Sequence, residues 1–262
     1  MTEFITSKDG TRIAYDRVGS GPAIILIAGA MQFRAFDPTT TAMAGLLAER
    51  GYSVINFDRR GRGETASSEP MTLAQTIDDI AALIEAAGGE AAVFGSSSGG
   101  AIALAAAAAG LPITGLVLWE VPLGDEGGSD GAEFLDGLRQ HIRAGHGDET
   151  IEYFMKDMPA EWLAGAKASG GWPIMVAMGP SLEPDSESLA WTQSAPRVEL
   201  WKNVTQPTAV LVGEQTGPIM HPAADSMVAL LPNASKRVIP AANHSWEPEV
   251  MAQKIAEFLA YG

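Results

Sequence analysis

Five stretches of this chain are apolar almost without a break: Ala23 to Ile27, Tyr52 to Phe57, Ala91 to Phe94, Leu116 to Trp119 and Thr208 to Val212. A strand with one face in water alternates apolar and polar residues. Uninterrupted runs are instead expected of strands covered on both faces, as in a parallel sheet sandwiched by helices. Helical signals fall between the runs. Asp37 before Pro38 can cap a helix that runs to Arg50 and stops at Gly51, and Thr72 with Gln75 has the spacing of a capping box. Ile77, Ile80 and Leu83 follow on one helical face, which Gly88-Gly89 ends. Strands alternating with helices predict βαβ units and an α/β fold with a mainly parallel central sheet and helices on both faces.

The ends of the chain extend this pattern. Phe4 to Thr6 and Arg12 to Tyr15 flank Asp9-Gly10 and read as a hairpin; Lys236 to Ile239 reads as a last strand. A helix over Pro248 to Ala260 would bury Met251, Ile255, Phe258 and Leu259, and the alanine-rich segment Ala101 to Ala109 suits a helix lying close against a sheet. From Leu123 to Leu200 the alternation stops, and Gly, Asp and Glu are interleaved with Phe134, Tyr153, Phe154, Met155, Trp162, Trp172, Met175, Met178 and Trp191. Residues 123–200 are therefore expected to form an inserted helical cap, and residues 1–122 with 201–262 the core. At 262 residues, one domain with an insertion accounts for the length.

Composition removes several functional classes. A formal charge of −15 repels phosphate backbones and anionic lipid heads, so neither nucleic acid nor membrane is expected as a partner. With no cysteine there is no disulfide, thiolate metal site or cysteine nucleophile. The first residues lack a basic and apolar leader pattern, and no apolar stretch approaches the ~20 residues that span a bilayer, so a soluble cytoplasmic protein is expected. Asn203, Asn233 and Asn243 match Asn-x-Ser/Thr, which without a leader is read as chance.

Gly95-Ser96-Ser97-Ser98-Gly99 has the pattern G-x-S-x-G, and it lies between the apolar run ending at Phe94 and the alanine-rich helix. At such a strand-to-helix corner only small flanking residues fit, and the central hydroxyl is exposed above the sheet edge. A phosphate loop would have the same composition, but no Lys follows to meet a phosphate. A serine hydroxyl needs a base, and His, with an unperturbed pKa of about 6.5, is suited to the task. Of the four histidines, His141 and His146 lie in a polar stretch, and His221 precedes Pro222 at a helix start, where capping explains it. His244 lies between the last strand and the last helix, at the sheet edge where ligands collect in such folds.

With Ser97 and His244 so placed, the chain resembles the α/β-hydrolase superfamily over nearly its whole length. Asp58-Arg59-Arg60-Gly61-Arg62-Gly63 looks like that superfamily's D-x-R-G-x-G loop, a structural rim element. It also fits a dinucleotide fingerprint through Gly61, Gly63 and Ala66, but Pro70 follows and no helix starts at the glycines, so nucleotide binding is rejected. The resemblance implies acyl transfer to Ser97 and then hydrolysis, with no metal or organic cofactor. It also implies an oxyanion hole from the backbone N–H groups of Ala30 and Ser98, although Ala28 stands where the common H-G-x pattern has His. Related dehalogenases and epoxide hydrolases carry Asp in place of Ser97.

The triad acid usually follows the strand Thr208 to Val212, in related chains that read G-E-x-D; here the residues are Gly213-Glu214-Gln215-Thr216. A neutral hydroxyl cannot stabilise an imidazolium, so Glu120 is expected to take the role, at the end of the strand beside the nucleophile strand. Glu214 and Asp125 compete less well, the first expected to point away and the second to be solvated. Trp119-Glu120-Val121-Pro122 and the surroundings of His244 are similar to zearalenone-type lactonases over these short motifs. An apolar pocket from Met31, Phe33, Trp162, Trp172, Met175, Met178 and Trp191 is expected to take a small hydrophobic ester or lactone, with a slow or inactive ligand receptor, or a carbon–carbon bond hydrolase or perhydrolase, of the same fold as the rival readings.

Overall fold

The apolar runs become neighbouring strands of one eight-stranded sheet. In chain order these are β1 (Glu3–Thr6), β2 (Arg12–Gly19), β3 (Ala23–Ile27), β4 (Ser53–Phe57), β5 (Ala91–Ser96), β6 (Ile113–Trp119), β7 (Thr208–Gln215) and β8 (Ala234–Ala242). They lie in the spatial order β1-β2-β4-β3-β5-β6-β7-β8; β1 and β2 are antiparallel to their neighbours, and β4 through β8 run parallel. This computed structural model describes residues 1–66 and 71–261; Pro70, invoked above against nucleotide binding, lies outside the described residues.

Both faces of the central strands are buried, and successive side chains go to opposite layers, which is why the runs do not alternate. Ile25, Ile27, Ile55, Val93, Leu116, Leu118 and Val210 meet the helices α2 (Leu73–Ala87), α3 (Ser98–Ala108) and α10 (Met220–Leu230). Ile24, Leu26, Val54, Phe94, Val117, Trp119 and Leu211 meet α1 (Pro38–Glu49) and α11 (Pro248–Tyr261) on the other face. Asp37 caps α1 by accepting from Thr40 N, and Thr72 and Gln75 form the expected capping box on α2. His221 departs from its expected capping role: it lies inside the first turn of α10, where Ile219 is the N-cap and no side chain caps.

Between β6 and β7 the chain passes through α4 (Asp130–Ala144), α5 (Gly147–Phe154), α6 (Ala160–Ala168), α7 (Trp172–Ala177), a 3-10 turn (Gly179–Leu182), α8 (Glu183–Trp191) and α9 (Arg197–Leu200). Helix α8 packs against α2, α3 and α4 and so joins this helical insertion to the core. Among the described residues no helix is long and apolar enough to cross a membrane.

Helix α3 approaches the sheet with no side chain between the backbones. A Cβ on Gly95 would lie 2.6 Å from both Gly100 Cα and Gly99 O, and one on Gly99 would collide with the carbonyl oxygens of Ile27 and Ala28. These obstacles are main chain and cannot rotate away. Gly99→Ala is therefore expected to lower unfolding free energy by about 1–3 kcal/mol, the usual cost of overpacking, as read in a urea melt; an unchanged midpoint would contradict this packing.

Candidate active site

Ser97 sits between β5 and α3 at φ 55° and ψ −127°. A left-handed serine has no local reason to exist, so the surrounding structure must enforce it. Its N–H donates to Trp119 O at 2.8 Å, its carbonyl accepts from Gly100 N at 2.9 Å, and the glycine contacts above close the corner. Ser96 and Ser98 are buried while Ser97 is partly exposed, so of the three serines Ser97 is the one presented outward.

Four more non-glycine residues have positive φ among the described residues: Met31 (58°), Glu120 (41°), Asn243 (53°) and His244 (61°). They stand at the C-terminal ends of β3, β6 and β8, the edge where β5 delivers Ser97. Such strain costs of the order of 1–3 kcal/mol per residue, and here it is concentrated at one sheet edge.

Glu120 and His244, 124 residues apart, are in direct contact: Glu120 Oε2 lies 2.5 Å from His244 Nδ1. Oε1 accepts the Gly213 N–H at 3.0 Å, and Glu120 is 3% exposed. Burial opposes its ionisation, but His244, the nearby Thr216 hydroxyl and the Gly213 N–H together hold its pKa below the ordinary 4.5. Glu214 and Asp125 are exposed. With Nδ1 engaged, Nε2 is the His244 nitrogen left to take a proton. Among the described residues Ser97 Oγ makes no hydrogen bond to His244; such bonds commonly tighten only when substrate docks.

The His244 loop is anchored at both ends. Asn243 N donates to Gln215 O at 3.0 Å, Ser245 N donates to Ala242 O at 3.0 Å, and the Trp246 ring packs edge-on against Phe94 and Trp119. The loop after β3 is held similarly. Asp37 accepts from Gln32 Nε2, and Gln32 Oε1 accepts from Gly29 N at 2.8 Å. A Cβ on Gly29 would stand 3.2 Å from Ser97 Cβ, so the Ala30 peptide begins beside the serine.

The expected pocket residues do not share one environment. Ala30, Met31 and Trp172 pack on the insertion's own core of Leu138, Ile151, Phe154, Met155 and Leu182. Phe33 stacks on Phe36 at 5.5 Å, and Phe36 abuts Gly171 at the start of α7. Met178 is buried, Met175 half-buried, and Trp162 37% exposed. Trp191 departs from the expectation, packing on the core layer of α2 and α3 because α8 is the helix that docks there. His141 and His146 flank Glu149 at the surface. Among the described residues no group of three or more His, Cys, Asp or Glu side chains could hold a metal ion.

Fold and site together define an α/β hydrolase. The alpha/beta hydrolase family matches residues 24–258. An alpha/beta hydrolase from Sphaerobacter thermophilus is similar at 31% identity and a TM-score of 0.83, over 98% of this chain and 100% of that one. A thermophilic esterase from Thermogutta terrifontis (21%, TM-score 0.70, 100% of this chain and 97% of that one) shares the fold. So does a meta-cleavage product hydrolase from Pseudomonas fluorescens (19%, 0.68, 99% and 97%). No curated protein matches in sequence. The chain belongs to the alpha/beta hydrolase family.

The depressed pKa of Glu120 has a thermodynamic sign. A carboxylate held below its unfolded value contributes stability that is complete above that value and disappears as pH falls through the folded one. Glu120→Gln is therefore expected to be less stable than the parent at pH 7, with the difference shrinking as pH falls below about 4. Urea melts across this range check it; a difference that grows on acidification would contradict the assignment.

Proposed function

We propose that this chain is a serine hydrolase that cleaves a carboxylic ester or lactone through an acyl-enzyme on Ser97, with His244 as base and Glu120 as triad acid. The carrying observation is the convergence of left-handed Ser97, Glu120 and His244 on one sheet edge, with the 2.5 Å Glu120–His244 contact inside it. In the first half-reaction His244 Nε2 takes the Ser97 proton as Oγ attacks the carbonyl carbon. The tetrahedral oxyanion lies against the N–H groups of Ala30 and Ser98, and collapse expels the alcohol, protonated by His244. A water activated by His244 then releases the acid. Glu120 holds the imidazole by Nδ1 and meets the imidazolium charge as it forms, as a relocated acid does in the lactonases that the Trp119-Glu120-Val121-Pro122 motif resembles.

The apolar character of Met31, Phe33 and Trp172 beside the oxyanion loop supports a hydrophobic acyl or lactone substrate. The formal charge of −15 supports small neutral molecules over nucleic acid or membrane as partners.

A fluorophosphonate is expected to label the parent protein and not Ser97→Ala, whose kcat should fall by roughly 10⁶ with the fold intact. Absent labelling, or equal labelling of Ser97→Ala, would reject the hydrolase in favour of a binding protein. Glu120→Gln should cost on the order of 10⁴ in kcat, and Glu214→Gln little; the reverse would move the acid to Glu214. The rate should fall below about pH 6 to 7, where imidazole becomes protonated, and a flat profile from pH 5 to 8 would contradict a histidine base.

A further inference from the structure

We propose that Asp185, on the helical insertion, is a positioning residue for the oxyanion hole, acting through Arg59, Arg62 and Ser98. This deepens the reading of Ala30 and Ser98 as oxyanion donors and rests on it. The carbonyl of Gly29 accepts from Arg59 Nη2 at 3.1 Å and from Arg62 Nη1 at 2.7 Å. That carbonyl and the Ala30 N–H belong to one peptide plane, and in a trans peptide they point in opposite directions. Two guanidinium donors behind the plane therefore set the direction of the Ala30 N–H in front of it. They also draw electron density toward the carbonyl oxygen, which makes the N–H a stronger donor.

The second donor is tied to the same group. Asp185 is fully buried; its Oδ1 accepts from Arg59 Nη2 at 2.5 Å and from the Ser98 hydroxyl at 2.6 Å, and its Oδ2 accepts from Arg62 Nη2 at 2.6 Å. Ser98 opens α3, and its main-chain N–H is the other oxyanion donor. One carboxylate thus connects the peptide after β3 to the first residue of α3. Burial opposes ionisation of Asp185, but Arg59 and Arg62, with the Ser98 hydroxyl, outweigh it and hold its pKa below the ordinary range. Among the described residues Asp185 is the sole carboxylate paired with either arginine.

Among the described residues the charges do not cancel: two cations face one anion, and Arg59 Nε and Nη1 are buried without partners. A surplus buried cation is costly in the resting protein, and it is well placed when negative charge develops on a carbonyl oxygen beside Ala30 and Ser98. Arg62 also donates to Ser181 Oγ and Ser181 O in the 3-10 turn, so the insertion holds this arginine from two sides. The insertion accordingly completes the hole rather than merely covering it.

The test uses Asp185→Asn and Ser98→Ala, the second of which removes the hydroxyl and keeps the main-chain donor. For each full-length variant, kcat and KM for p-nitrophenyl butyrate, the rate of fluorophosphonate labelling, the affinity for an aryl trifluoromethyl ketone and a thermal melt are measured. The ketone's hemiketal oxygen occupies the hole. We expect kcat and the labelling rate to fall about 10-fold in Ser98→Ala and about 100-fold in Asp185→Asn, with KM within about twofold and ketone affinity falling in step with kcat/KM. Parent-like kcat and ketone affinity in both variants would overturn the proposal, as would a loss confined to KM. If Asp185→Asn does not fold, Ser98→Ala decides alone. An unlabelled parent protein would instead overturn the underlying serine hydrolase reading.

Discussion

The peptide groups that open α3 lie against the carbonyls that end β3, with only glycine hydrogens between the two backbones. The geometry of the site depends on this approach. It forces the corner at Ser97 into the left-handed region and turns that side chain outward. It also brings the loop carrying Ala30 alongside the first turn of the helix. Because α3 begins there, the positive end of its dipole faces the same edge. Any side chain at Gly95 or Gly99 would push the helix back, and hydroxyl, N–H donors and dipole would move together.

Two buried carboxylates at this edge do different work, and their partners show why. Asp185 is paired with the two guanidinium groups of Arg59 and Arg62. Glu120 rests against His244, and that contact together with the Gly213 N–H helps to keep it ionised. A chain of net charge −15 thus places, among the described residues, two arginines against one carboxylate behind its candidate oxyanion donors.

The helical insertion is held unevenly. Helix α8 is anchored in the core and carries Asp185, whereas α6 and α7 contain no buried residues. Elements with little buried surface open most readily. The side that meets Phe36 and Met31 through α7 and Trp172 is therefore the looser one, and the side that docks on α2 and α3 through α8 is the firmer.

Local patterns were enough to establish the parallel sheet, the caps at Asp37 and Thr72, and the corner at Ser97, because each depends on residues a few positions apart. Apolar runs report burial on two faces, and G-x-S-x-G between strand and helix reports a tight backbone. That Glu120 and His244 would share one sheet edge was also legible, from their positions after β6 and β8. The partner of Arg59 and Arg62 was not. Asp185 lies 123 residues beyond Arg62, on a helix whose local sequence carries no mark of burial, and only the docking of α8 on α3 brings it to Ser98. The packing of Trp191 on the core layer was not legible for the same reason, since an aromatic on a helix can line a pocket or a core equally well by composition. By itself the sequence determined the elements, the tight strand-to-helix corner at Ser97 and the chemical types at the sheet edge. Tertiary structure alone decided which buried charges meet, because charge pairing inside a protein depends on distances of a few ångströms between elements whose packing no short stretch of sequence encodes.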